Sequence, residues 1–333
     1  MVQKYPQNPV VVEGLFVLGR QDSQYWDQAL KSFPAHPLSV AIALERLKAS
    51  PDDLNLLRLV ARHGFHLPDL KTYLKRLTDK HAAKLTPDDW HAVGLAYWEK
   101  LTYKEAGEAY AKAPLTPLNA YRAARGLQLG NKNTEAIAAY QKLIKAFPQS
   151  EEAAQAYIKL GSLIDPLNTR FQYLEKGIGL AKSQGRSHLV ADGLHIKATL
   201  EGKLNQTQAQ SATEKQLLTD YGQTEAAASL LWKRAQDQAT VGNYAAARDS
   251  AWAITQSAPR SALAPKAAFS SFQWAKQSGN TPQQKQVFEF LWNQHPDSYY
   301  TWRAGSLSGW PVGDFKTVRN LKPTPIGPPN SSR

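Results

Sequence analysis

The sequence predicts an all-α fold, a superhelix (α-solenoid) of two-helix hairpins with a 37-residue period, and three regularities predict it. A junction of helix breaker followed by hydroxyl residue recurs at Phe147-Pro148-Gln149-Ser150, Gly185-Arg186-Ser187, Tyr221-Gly222-Gln223-Thr224, Ala258-Pro259-Arg260-Ser261 and His295-Pro296-Asp297-Ser298. Its hydroxyl residues stand at 150, 187, 224, 261 and 298, so each step is 37 residues. Seven places before each hydroxyl lies an aliphatic: Leu143, Leu180, Leu217, Ile254 or Leu291. Midway through each unit comes a second break, at Gly130-Asn131, Asn168, Asn205, Gly242-Asn243 and Gly279-Asn280.

The junction reads as a stop and a start. Pro or Gly ends one helix, and the Ser or Thr oxygen caps the next. Gly and Asn tolerate the left-handed backbone that closes a helix, so the second break divides each unit into two helices. Such a hairpin cannot bury its apolar face alone, and stacking of neighbouring hairpins makes one continuous core. The in-register aliphatics are its expected line, with Ala154, Ala191 and Ala228 letting adjacent helices approach closely.

In chain order, residues 1–22 read as irregular, with Pro6 and Pro9 early. Ser23 is placed to cap a short helix through Trp26 to Phe33, and Pro37 to Ala49 reads as a second. Ser50-Pro51-Asp52-Asp53 starts a third, with a cap, a Pro at the first helical position and acids near the positive end of the dipole. Thr86-Pro87-Asp88-Asp89 repeats that start, and helices are expected through Trp90, Leu95, Tyr97 and Trp98 and over Tyr103 to Ala113. Thr116-Pro117 opens the regular array. The resulting division is an N-terminal helical region of irregular spacing over 1–115, the array over 116–312 and a Pro/Gly/Ser-rich linker over 313–333, whose composition cannot form a helix. Such a linker is expected to lead to a further domain.

Composition narrows the function. With 333 residues and no cysteine, the chain has no disulfide staple, Cys-ligated zinc or thiol nucleophile. No stretch approaches the ~20 apolar residues of a spanning helix, so no transmembrane segment is expected. Met1 to Pro9 lacks the basic and apolar regions of a secretory signal. The net charge of +12 favours anionic partners. Lys and Arg are dispersed without a run or recognition motif, and nucleic acid is not an expected partner.

Candidate chemistry is sparse. The acidic pairs Asp52/Asp53 and Asp88/Asp89 read as helix caps rather than as an acid and a base. His63-Gly64-Phe65-His66 lacks the intervening carboxylate of a helical zinc hydrolase, and His188 and His195 fall on one helix face. No metal or other cofactor is expected, since glycine-rich phosphate loops and a G-x-S-x-G turn do not occur. The densest unusual feature is aromatic: Phe288, Phe290, Trp292, Tyr299, Tyr300, Trp302, Trp310 and Phe315. With Arg303 and Asp314 nearby, these rings suit stacking on sugars; equally, they suit closing the end of the solenoid.

Ala136, Tyr140 and Pro148, an Ala followed by an aromatic four later and a proline twelve later, resemble the second helix of a tetratricopeptide repeat (TPR). Ala247, Ala251 and Pro259 keep the spacing with a small middle residue; Gln284, Phe288 and Pro296 keep it with a polar first one. More specifically, the 295–315 segment, with Tyr299-Tyr300-Thr301-Trp302-Arg303 and Gly309-Trp310-Pro311-Val312-Gly313-Asp314-Phe315, resembles the end of the helical superhelix in soluble lytic transglycosylases of the cyanobacterial type. Leu115 to Leu127, followed by Ala136 to Tyr140, is similar to the same family.

That resemblance implies a role in the cell wall. Those enzymes cleave peptidoglycan between N-acetylmuramic acid and N-acetylglucosamine with one glutamate in a Glu-Ser pair, followed by a Gly-Leu-Met-Gln stretch. Here no Glu precedes a Ser and Met1 is the one methionine, so no catalytic residue carries over. The expected function is therefore a non-catalytic TPR-like superhelical region that holds or orients murein strands for a catalytic domain beyond the C-terminus. Tyr299, Tyr300, Trp302, Arg303 and Trp310 are its candidate substrate-binding residues. The implied partners are peptidoglycan glycan strands or a cell-wall protein, and the implied location is the periplasm or cell envelope, or the cytoplasm if the chain is complete. The alternative is a free-standing TPR-like protein-interaction scaffold. A third reading is an enzyme whose site joins His63, His66, Trp90 and His91.

Overall fold

The computed structural model describes residues 8–309, which are helical in every regular segment; no strand occurs among the described residues. The expected linker over 313–333, together with Trp310, Asp314 and Phe315, lies outside the described residues. The chain's contacts divide it into two units, 1–189 and 190–333.

The first unit begins with α1 (Val11–Leu18), α2 (Ser23–Ser32) and α3 (Pro37–Ala49). The helix α1 falls within the stretch read as irregular, because its sequence is apolar nearly all round and carries no periodicity to notice. It buries Val11, Val12 and Leu15 against Ala29 and Ile42. Asp22, not Ser23, caps α2, accepting from the Gln24 N–H at 3.0 Å. Next comes α4 (Leu54–His63), which starts later than Ser50-Pro51 suggests. Asp53 caps it by accepting from the N–H groups of Asn55 and Leu56, and two such bonds outweigh the single bond a serine cap offers.

The helix α5 (Leu70–His81) leads through a short 3₁₀ turn to α6 (Pro87–Glu99), whose start is as expected. Thr86 Oγ1 accepts from the Asp89 N–H at 3.2 Å, while Asp89 Oδ2 accepts from the Thr86 N–H at 3.0 Å, a reciprocal capping box. Asp89 is only 4% exposed and also meets Arg58 and Arg62, each at 2.9 Å. The acidic pairs are thus structural at both starts.

Regular hairpins follow: α7 (Tyr103–Tyr110) with α6, then α8 (Pro117–Leu129) with α9 (Asn133–Ala146), and α10 (Glu151–Leu163) with α11 (Leu167–Ser183). Gly107 of α7 and Gly126 of α8 touch backbone to backbone, and a Cβ on Gly126 would lie 2.7 Å from the Gly107 nitrogen. The division between units falls in the first turn of α12 (Ser187–Lys203). The second unit continues with α13 (Thr207–Asp220), α14 (Glu225–Thr240), α15 (Tyr244–Ser257), α16 (Ala264–Gln277), α17 (Thr281–Gln294) and α18 (Tyr299–Ser308).

The 37-residue marker has a common geometry at four of its five sites. Phe147, Tyr221, Ala258 and His295 end their helices at φ −136°, −132°, −133° and −139°. Each donates its N–H to the carbonyl of the in-register aliphatic, Leu143, Leu217, Ile254 or Leu291. Each then accepts, on its own carbonyl, the N–H of the hydroxyl residue three places on. These four aliphatics are buried, whereas Leu180 is half-buried. The exception is explained by Gly185, which closes α11 at φ +68° with a different turn.

Ser150, Thr224 and Ser298 cap their helices as the spacing predicts. Ser261 does not. Its hydroxyl donates to Glu225 at 2.7 Å and accepts from the Leu263 N–H, so α16 starts three residues later. Ser187 is the first residue of α12.

The mid-unit breaks are left-handed at Asn131, Asn205, Gly242 and Gly279. Asn168 instead lies inside α11, which starts directly after Pro166. The same conformation at Leu101, φ +57°, is unfavourable for a residue with a Cβ, and its side chain is 69% exposed. Leu101→Gly is therefore expected to stabilise the chain by about 1 kcal/mol, read as a rise in the denaturant midpoint. An unchanged or lowered midpoint would show that the turn carries no strain.

Candidate functional site

The aromatic concentration lies on the last hairpin. His295 closes α17 and Ser298 opens α18, accepting from the Tyr300 N–H at 3.2 Å. Thr301 is buried, and its hydroxyl reaches the His295 carbonyl at 2.6 Å and the Leu291 carbonyl at 3.3 Å. These bonds tie the first turn of α18 to the end of α17. They fix its rotation so that Tyr299, Trp302, Arg303 and Ser306 form its exposed side.

An open groove of about 220 Å³ results, lined by Trp292, Pro296, Asp297, Tyr299 and Trp302 among others. Its rings remain accessible, with Tyr299 63%, Trp292 50% and Trp302 36% exposed. The Tyr299 and Trp302 rings stand 6.1 Å apart at 39°, and Trp292 stacks on Phe288 at 5.9 Å. Behind them the core is complete: Phe272, Val287, Leu291 and Ala304 are buried, with Tyr300 and Phe269 packed against them.

Of the five residues proposed from sequence, Tyr299 and Trp302 come together in this groove. Tyr300 is not among the groove-lining residues: it is half-buried, with its ring 5.7 Å from Phe269 and edge-on to Tyr299 at 5.6 Å. Arg303 is exposed on α18 but is not among the groove-lining residues. Trp310 lies outside the described residues. Trp292, one of the aromatic concentration, and Asp297, part of the 295–298 junction, are not among those five, although the spacing holds a signal for Trp292. It follows Phe288 by four and sits one place after the buried pair Val287 and Leu291, so it presents a neighbouring side of α17.

A second cavity, of about 370 Å³, lies within the second unit, with Leu217 and Leu230 beside His195, Gln210, Glu214 and Lys233. Glu214 there accepts from Gln210 at 2.8 Å and pairs with Arg234, while Lys233 pairs with Asp237 at 2.7 Å. His195 Nδ1 lies 3.0 Å from the Ala226 carbonyl, which only accepts, so that nitrogen carries the proton. In the first unit, His91 is held by Asn119 at 3.0 Å and edge-on to Tyr110, while the Lys112 ammonium lies 4.1 Å over Trp90. No group of three His, Asp or Glu placed to hold a metal ion occurs among the described residues. Nor is any described helix long and apolar enough to cross a membrane.

No family model and no curated protein matches the chain. Solved structures are similar to it at low identity. The Cut9–Hcn1 hetero-tetramer of the APC/C covers 86% of this chain at 14% identity and TM-score 0.40, and this chain spans 56% of it. Human IFIT1, solved as a dimer with PPP-AAAA, covers 85% at 13% identity and TM-score 0.37, with 71% of its own chain matched.

Proposed function

We propose that the chain is a non-catalytic TPR-like interaction scaffold, and that the groove of α17 and α18 is where it takes a partner protein. The observation that carries this reading is the exposure of Trp292, Tyr299 and Trp302 around one open groove while the core behind them is already closed. Exposed aromatic clusters of this kind mark interaction sites, since large flat rings supply contact area at low entropic cost. Asp297 at the rim adds a hydrogen-bond acceptor.

A second reading rests on the same rings and on the resemblance of the 295–315 segment to lytic transglycosylases. Flat exposed faces beside a carboxylate suit stacking on sugars. The chain would then hold murein strands in the cell envelope for a catalytic domain.

One variant tests both. Trp292→Ala/Tyr299→Ala/Trp302→Ala is expected to lose a stoichiometric protein that the wild-type chain captures from its source cells, with a drop in affinity of at least about tenfold. Retention of that protein by the variant sinks the groove assignment. Co-sedimentation with isolated peptidoglycan at low salt, lost in the variant, favours the murein reading instead.

A further inference from the structure

The helix α7 is short for its place. The second helices α9, α13, α15 and α17 each run 14 residues and α11 runs 17, whereas α7 has 8. The shortfall against the common length is 14 − 8 = 6 residues, about 9 Å of helix at the usual rise. The chain after Tyr110 runs instead as an irregular segment through Pro114, and where a longer α7 would continue it leaves a gap beside the second half of α9, which itself packs on α8 and α10.

An apolar groove of about 210 Å³ occupies that gap. Its floor is small, with Ala120, Ala123 and Ala139 backed by buried Leu143. Leu115 stands at its edge 66% exposed, and Leu118 nearby is 45% exposed. Alanine side chains let another backbone approach closely, and an exposed leucine at the rim offers a contact that water penalises.

The charge lining the groove is positive. Lys142 lines it and Lys145 lies one turn further along α9; both are exposed, and neither forms an ion pair among the described residues. From Tyr103 to Ser150 there are seven Lys and Arg against three Glu, a balance of 7 − 3 = +4.

From this geometry we propose that the groove takes a short amphipathic helix of an acidic partner protein, which completes the layer that α7 leaves unfinished. Its apolar side lies on the alanine floor against Leu115, and its carboxylates meet Lys142 and Lys145. Helix-in-groove docking of this kind is read through anchors at i, i+3, i+4 and i+7. The proposal rests on the scaffold reading but uses a different surface from the aromatic groove.

The test uses the full chain and a fluorescein-labelled helical peptide of about 14 residues with leucines at those four positions and glutamates elsewhere. A second peptide has lysines in place of the glutamates. The glutamate peptide is expected to bind, and its affinity to fall with salt. Lys142→Glu/Lys145→Glu, both on the surface, is expected to weaken it about tenfold. Ala139→Trp, which fills the floor, is expected to abolish binding in a protein whose melting curve stays cooperative. The Trp292/Tyr299/Trp302 alanine variant is expected to bind the peptide unchanged.

Equal binding of the lysine peptide, unchanged affinity in the charge-reversed variant, or no binding at all overturns the proposal. Loss of binding only in the aromatic variant also overturns it, while leaving the scaffold reading in place. The scaffold reading itself stands or falls on the capture experiment, so the two failures are separable.

Discussion

Tyr140→Ala is expected to destabilise the first unit by about 3–5 kcal/mol, the range for deleting a large buried aromatic. Tyr140 is fully buried among Ala124, Ala136, Leu143, Ala156 and Leu160, with the Tyr121 ring 6.1 Å away. Those neighbours are carried on three helices, so a hole at this point cannot be closed by moving one of them. The conservative variant separates volume from polarity. Tyr140 donates its hydroxyl to Gln128 Oε1 at 2.9 Å, and that oxygen also accepts from Arg125 at 2.7 Å. In Tyr140→Phe the amide oxygen keeps its arginine, so the expected loss is only about 1 kcal/mol. Denaturant unfolding, with amide exchange in α8 and α9 as the local readout, measures both. A loss below about 1 kcal/mol in the alanine variant would mean that the hairpins do not share this core.

Asp89→Asn is expected to cost about 2–3 kcal/mol near neutral pH and progressively less in acid. Burial by itself raises the Asp89 pKa. The hydrogen bonds from Thr86 and Arg62, with the charge of Arg58, outweigh that effect and hold the carboxyl below its ordinary value. A depressed folded-state pKa contributes stability that is present above the unfolded value, about 4, and is lost as the pH falls through the folded one. The gap between wild type and variant should therefore be constant from neutral pH down to about pH 5 and shrink below pH 4. A gap independent of pH throughout that range would show that the two arginines do not act through the charge.

Where a signal is confined to a few neighbouring residues, the sequence was enough. Thr86-Pro87 with Asp89 three places on specifies a helix start by itself, and so does Pro37 for α3. Ser50-Pro51 looks the same locally, yet Asp53 competes for the cap and wins with two bonds, a comparison that requires the folded turn. Asn168 sits at the right spacing for a break, but Pro166 starts the helix before it.

The candidate site was legible to the level of the hairpin and no further. Tyr299, Tyr300 and Trp302 are near neighbours in the chain, and a helix turns each residue about 100° from the last. Which of them meets solvent depends on where Phe269 stands on α16. No local pattern shows that. Trp292 belongs to the aromatic concentration, but its place in the groove depends on a turn, with Pro296 and Asp297 bringing α18 back beside the end of α17. The pattern over Tyr103 to Ala113 predicts a longer helix than α7, which ends at Tyr110, so the gap beside α9 has no trace in it.

The four matching junctions have a bearing on how such a chain grows. Each is closed by bonds between a helix end, its own in-register aliphatic and the hydroxyl residue that follows, so a junction needs nothing from the identity of the next unit. Cutting at equivalent points in two that also cap alike, after Thr224 and after Ser298, removes 298 − 224 = 74 residues, two whole units, and rejoins two like ends. Cutting elsewhere leaves half a hairpin with its apolar side bare. Duplication and loss in this lineage should therefore proceed in steps of 37 residues, and a shortened gene product missing those two steps should still express as a folded protein.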